Sequence, residues 1–218
     1  MKEYKFSVKK NGSVYEITDD GANQHFFEND SYVSTPMMLP LGALVDFYQK
    51  LANYCYEECI GGNSFYGNQR DIPWVYAVLR DKQCKKEAGE HMFSFGKNER
   101  NPKLFDVWHL TLNGPTVRYC FERNALHDLC WQINHVLCEA DDPRIKIWAD
   151  YVLNKMTEDV HLDFETFCKW VRYVHPDTPS CYYEVPFDAW DNVDDHLTLR
   201  QNVDIAAAYI KDHEHDYD

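Results

Sequence analysis

Residues 104–138, LFDVWHLTLNGPTVRYCFERNALHDLCWQINHVLC, decide how the rest of the chain is read. Asn113-Gly114 stands between two runs rich in aromatic and β-branched residues. Asn-Gly tolerates the positive φ that both central positions of the favoured hairpin turn require. A two-residue turn there predicts Leu112 opposite Pro115, Leu110 opposite Val117, Trp108 opposite Tyr119 and Asp106 opposite Phe121. That register gathers the large apolar side chains on one face, the expected core face. Thr111/Thr116, His109/Arg118, Val107/Cys120 and Phe105/Glu122 fall on the other, mixed face. Pro115 has no N–H for the ladder, so the turn can relax to a four-residue loop, which leaves the same residues on the same faces. Beyond the hairpin the period becomes helical, with Leu126, Leu129, Cys130, Ile133, Val136 and Leu137 on one stripe.

The N-terminus repeats this logic on a smaller scale. Asn11-Gly12 predicts a second hairpin with Val8 opposite Tyr15 and Phe6 opposite Ile17, closed by Asp19-Asp20-Gly21. Residues 22–38 show no period and read as loop. From Pro40, suited to a first helical turn, a stripe of Leu44, Tyr48, Leu51, Cys55 and Cys59 predicts a helix over 41–59, stopped by Gly61-Gly62. Ile72–Arg80 and His91–Phe95 read as strands, and the Lys82–Lys103 stretch as interrupting basic loops that discourage edge-to-edge pairing.

Three further helices follow. Asp142-Pro143 looks like a cap and first position for a stripe of Ile145, Trp148, Ala149, Val152 and Met156. Asp163 caps a stripe of Phe164, Phe167, Cys168, Val171 and Val174, which ends at His175-Pro176. Thr198 and Gln201 have the capping-box form ahead of Leu199, Val203, Ala206, Ala207 and Ile210. The expected architecture is α+β: an antiparallel sheet built from the two Asn-Gly hairpins and additional strands, helices on one face, and a helical C-terminal portion. Trp108, Leu110, Tyr119, Phe121, Leu129 and Ile133 are expected at its centre. The division expected is a sheet-and-helix core over 1–139 and a helical subdomain over 140–218, packed as one unit.

The formal charge of −14 argues against direct nucleic-acid binding, which depends on Lys and Arg displacing counterions from phosphates. Residues 181–218 hold ten acids against Arg200 and Lys211, net −8, leaving −6 for the first 180 residues. Between Lys82 and Lys103 the balance reverses, with six bases against Glu87, Glu90 and Glu99. The start lacks an apolar signal core and no run approaches the ~18 apolar residues of a membrane span, so a soluble, cytoplasmic protein is expected. Its eight cysteines then read as reduced thiols.

GxGxxG, GxxxxGK[ST], GxSxG, HExxH and CxxC are all absent, so no cofactor is implied. Cys55 and Cys59, an i, i+4 pair able to chelate, lie on the core stripe and read as packing. Gly62–Gly67 resembles a nucleophile elbow with one residue too many, and reads as a loop. His127 and His135, eight apart on a helix with Trp131 between them, border its polar face. The tail His213–Asp218 reads as a solvated end.

Residues 176–196, PDTPSCYYEVPFDAWDNVDDH, hold neither period and mix aromatics with acids. Large rigid aromatics make good contact anchors, and surrounding carboxylates favour and speed encounter with a basic partner. The expectation is a non-enzymatic acidic binding or inhibitory protein that engages the basic surface of another protein, including one that otherwise holds nucleic acid. Immunity, anti-restriction and anti-CRISPR proteins are analogous in charge and composition. Its expected contact residues are Tyr182, Tyr183, Glu184, Asp188, Trp190, Asp191, Asp194 and Asp195, with His109 and Arg118 on the mixed sheet face. The alternative is a metal-assisted hydrolase or nuclease assembled from His109, His127, His135 and the Asp191/Asp194/Asp195 cluster.

Overall fold

Two hairpins, each carrying an Asn-Gly pair, organise the strands, and they lie in separate sheets. This computed structural model describes residues 6–19, 26–28, 31–32, 36–57, 75, 77–114, 116–139, 142–178 and 185–213. The protein is α+β and divides into two units, 1–70 with 79–140, and 71–78 with 141–218. In the first unit β1 (Phe6–Asn11), β2 (Val14–Asp19) and β5 (Met37–Pro40) form an antiparallel sheet in the order β1-β2-β5. A second antiparallel sheet joins β3 (Phe26–Glu28), β4 (Ser31–Tyr32), β6 (His91–Lys97), β7 (Leu104–Thr111) and β8 (Val117–Glu122) in the order β4-β3-β8-β7-β6.

The two hairpins depart from the expected register in different ways. In the first, Val8 pairs with Ile17, not Tyr15, and the loop is Gly12-Ser13 with Gly12 at φ +62°. A loop residue at positive φ is what glycine supplies without steric cost. The shift is by two residues and therefore keeps the faces: Phe6, Val8, Tyr15 and Ile17 are all buried, as expected. In the central hairpin the shift is by one. His109 pairs with Val117, Trp108 with Arg118, Val107 with Tyr119 and Phe105 with Phe121. The residues between His109 and Val117, 110–116, are seven, an odd number that no two-residue turn allows. Thr111 O accepts the Gly114 N–H at 3.3 Å, so Leu112 and Asn113 are the central turn residues. The two-residue register would have required a ladder N–H from Pro115, which proline lacks.

A one-residue slip turns one strand over relative to its partner. Phe105, Val107, Tyr119 and Phe121 therefore share the buried face, while Trp108 and Leu110 are half-buried on the other. Of the expected centre, Tyr119, Phe121, Leu129 and Ile133 are in the core and Trp108 and Leu110 are not.

Among the described residues the first unit also has three helices: α1 (Leu41–Glu57), α2 (Lys82–Glu90) and α3 (Arg123–Glu139). Pro40 is the last residue of β5, paired with Val14, and not part of the helix that follows. Phe47 of α1 meets Phe93 at 4.5 Å between ring centroids, and Tyr54 meets Phe95 at 5.2 Å. Such aromatic pairs contribute about 0.5–1.5 kcal/mol beyond the area they bury. Near the start of α1, Gly42 meets the backbone of Cys84 in α2 so closely that a Cβ would lie 1.9 Å from Cys84 O. Glu87, buried in α2, accepts the Gly42 N–H at 3.0 Å and so supplies a carboxylate to the positive end of α1.

The second unit is helical: α4 (Pro143–Leu153), α5 (Phe164–Val174), α6 (Val185–Asp191) and α7 (Leu199–Asp212). Its caps are those expected. Asp142 accepts from Arg144 N with Pro143 at the first position, Asp163 accepts from Thr166 N, and Thr198 and Gln201 form a complete capping box. Among the described residues no helix is long and apolar enough to cross a membrane.

Four segments differ from expectation. Residues 22–38 include β3, β4 and the start of β5; β3 pairs with β8 and β5 with β2, both distant in sequence, and β4 pairs with β3. Val75 and Ala77 are helical and Val78–Arg80 forms a 3-10 turn where a strand was expected. Lys82–Glu90 is helix, not loop, because Asp81 caps it by accepting from Gln83 N and Cys84 N. Within 176–196, residues 185–191 form α6.

Candidate functional site

The residues expected to act together on the hairpin are on opposite faces. The His109/Arg118 pairing is overturned by the one-residue slip: Arg118 lies across from Trp108, and His109 across from Val117. Arg118 belongs to a compact polar cluster on the face away from Phe47. Asp106, 4 % exposed, accepts from Asn98 Nδ2 at 3.0 Å and from the Cys120 thiol at 2.9 Å, and its Oδ1 lies 3.3 Å from Arg118 Nε. Burial and the Asp106 carboxylate push the Cys120 thiol up to about 11, so it stays protonated and donates. The cluster compensates a buried carboxylate and leaves no nucleophile.

His109 sits in the core beside Phe93, its ring nearly parallel to that ring at a centroid distance of 4.6 Å. On α3, His127 is half-buried, with its pKa lowered by burial, and His135 is exposed. Among the described residues no three His, Cys, Asp or Glu side chains converge as metal ligands. Tyr182, Tyr183, Glu184 and Cys59 lie outside the described residues, as does the 62–67 segment.

The remaining expected contact residues lie in the second unit, where two of them, Trp190 and Asp195, help line an open cleft. Asp188, Trp190 and Asp191 are carried by α6, and Asp194 and Asp195 by the turn that follows; the four aspartates are exposed. The indole of Trp190 packs against Phe167 at 5.4 Å and edge-on to Phe164 at 6.3 Å. Phe187 stacks on Phe164 at 4.3 Å while remaining 53 % exposed. Trp190 is thereby held at one wall of a cleft of about 710 Å³, whose lining also includes Glu158, Asp159, His161 and Asp195. Glu158, Asp159 and His161 were not anticipated. They lie about thirty residues before Trp190, and only an isolated Glu-Asp pair marked them in the sequence.

One buried side chain joins the two walls. Asn202, 2 % exposed on α7, donates from Nδ2 to Thr157 Oγ1 at 2.6 Å and to Asp194 O at 2.9 Å, and its Oδ1 accepts the Asp194 N–H at 2.9 Å. Thr157 in turn donates its N–H and its hydroxyl to Leu197 O, both at 2.9 Å, and Met156 bridges Thr198. The 3-10 turn Thr157–Asp159 and the 194–198 turn are thus fastened as one frame. Asp194 also serves this frame, its carboxylate accepting the His196 N–H at 2.8 Å.

Charge is concentrated in this unit. It carries 19 acidic against 7 basic residues, net −12 of the whole chain's −14, so the first unit is near neutral at −2. An indole beside several solvated carboxylates can take a guanidinium or ammonium group, with the ring face attracting the cation and the carboxylates pairing with it. Compared with protein-family models, with curated proteins and with solved structures, the chain matches none.

Proposed function

We propose that the protein is an acidic binding protein, inhibitory in character, whose C-terminal unit engages a basic surface of a partner protein, including a partner that otherwise holds nucleic acid. The observation that carries this reading is the cleft of about 710 Å³ in which Trp190 stands with Glu158, Asp159 and Asp195. The strong negative charge of the surrounding unit supports it, because like charge gathered on one body steers a cationic partner and raises its on-rate. The exposed ring of Phe187, stacked on the half-buried Phe164, adds contact area of the kind that anchors interfaces.

The test is capture of partner from the native cell, with a matched set of variants and a salt series. Capture weakens as salt rises towards physiological strength, since solvated charge pairs are screened. Changing Asp188, Asp191, Asp194 and Asp195 together to Asn removes about 0.5 kcal/mol per exposed pair, about 2 kcal/mol or about thirtyfold in affinity. Trp190→Ala lowers capture further. Capture that is indifferent to both the fourfold change and Trp190→Ala rules this surface out.

A further inference from the structure

His91 opens β6 and His109 lies in β7, and the register pairs His91 with Thr111 and Phe93 with His109, so the imidazoles are diagonal neighbours on one face. His91 Nδ1 is 2.9 Å from His109 Nε2, the ring centroids are 5.1 Å apart and the planes lie within 17°. With the nitrogens that close, this centroid separation means that the rings meet edge to edge, nearly in line, and not face to face. One facing nitrogen carries the hydrogen and the other offers its lone pair. In either tautomer a first added proton goes to an outward nitrogen and the bond survives. A second has only the facing lone pair left, and taking it puts two N–H groups and two positive charges against each other.

The surroundings determine where each proton goes. Glu90 and Glu87, on α2, act on the His91 side and favour a cation there, against its burial. His109 has Phe93 along its ring, Phe47 of α1 behind Phe93, and Val117 of β8 opposite. Burial, then the neighbouring His91, hold His109 down to about 4. This pair also marks a mechanical corner. The His91 N–H closes the end of α2 on Ala88 O, and Glu90 O accepts the Leu112 N–H at 3.1 Å, so the helix-to-strand junction is fastened to the hairpin tip here.

We propose that the His91–His109 dyad is an acid-release latch: the α2–β6 corner stays fastened to β7 while the two imidazoles share one hydrogen between their facing nitrogens, and it opens when both are protonated, uncovering Phe93 and Phe47. Because the folded protein holds His109 below the ordinary histidine value of 6.5, the unfolded chain binds more protons between about 6.5 and about 4. The dyad's stabilisation is complete above that window and is lost as pH falls through it. Long-range nitrogen–proton NMR of the full chain reads both imidazoles, and amide exchange reads the corner. The expected result is two separated protonation steps, with protection of the ladder amides of Met92, Ser94 and Gly96 and of Leu112 falling at least about tenfold on the second step only. In His109→Phe, which has no second proton to take, those protection factors hold down to about pH 4. His91→Gln removes the neighbouring charge and moves the His109 step up. If the wild-type corner keeps its protection with both imidazoles protonated, or if the two imidazoles titrate together near 6.5, the latch is overturned whatever the variants do.

Discussion

Changing Asn202 to aspartate replaces one buried amide nitrogen by an oxygen and leaves the shape nearly the same. In the native frame that nitrogen gives hydrogens to Thr157 Oγ1 and Asp194 O, while the Thr157 hydroxyl is committed to Leu197 O. In Asn202→Asp at neutral pH, a carboxylate oxygen faces two acceptors and both donated bonds disappear. The two bonds are worth about 1 kcal/mol each, and a carboxylate buried against lone pairs raises the total cost to about 3–5 kcal/mol. Asn202→Ala removes both donated bonds and the bond accepted from Asp194 N–H without adding charge, for about 3 kcal/mol. The distinguishing sign is in the pH dependence. The new carboxyl is pushed above its usual range, so in Asn202→Asp the deficit shrinks as pH falls and the neutral acid regains a donor. Urea titrations of the full chain, followed by tryptophan fluorescence at pH 7 and pH 5, measure this as midpoint shifts of about 1–3 M at neutral pH. A loss under about 0.5 kcal/mol at pH 7, the size of an ordinary surface change, refutes the claim that Asn202 holds the cleft frame together.

Two glycines give a paired test of packing in the first unit. Gly42→Ala sets a Cβ 1.9 Å from Cys84 O, backbone against backbone, and should cost about 3 kcal/mol or more. Gly89→Ala, with nothing within 4 Å of its added Cβ, should instead stabilise α2 by about 0.5–1 kcal/mol; chemical denaturation of both against wild type settles the pair. Iodoacetamide labelling read by mass spectrometry should leave Cys120 largely unmodified at pH 8 in the native protein, since its thiol is raised to about 11 and is 5 % exposed, and should modify it readily in urea. Rapid native labelling would show that the Asp106–Cys120 bond does not form.

The helix caps were legible because a cap is local chemistry. Asp142, Asp163 and Thr198 act within three residues of themselves, and each does what its position in the sequence implies. The polar helix α2 escaped notice for a related reason. It buries only Cys84 and Glu87, so it shows little of the apolar stripe that marks a packed helix. β3 and β5 escaped because their form depends on pairing with β8 and β2, which nothing within their own few residues encodes. In the cleft, Trp190 and the aspartates near it were visible as an acidic, aromatic stretch, whereas Glu158, Asp159 and His161 join them through tertiary contacts, the Asn202 and Thr157 bonds among them.

By itself the sequence determined the α+β class, both hairpins, the starts of α4, α5 and α7 and the lopsided charge, because period, turn chemistry, capping and charge are properties of neighbouring residues. Tertiary structure alone decided which way the central hairpin faces. A strand's side chains alternate with a period of two, so a single residue in the 110–116 loop sent His109 to the core, where it meets His91, and left Arg118 on the opposite face beside Asp106.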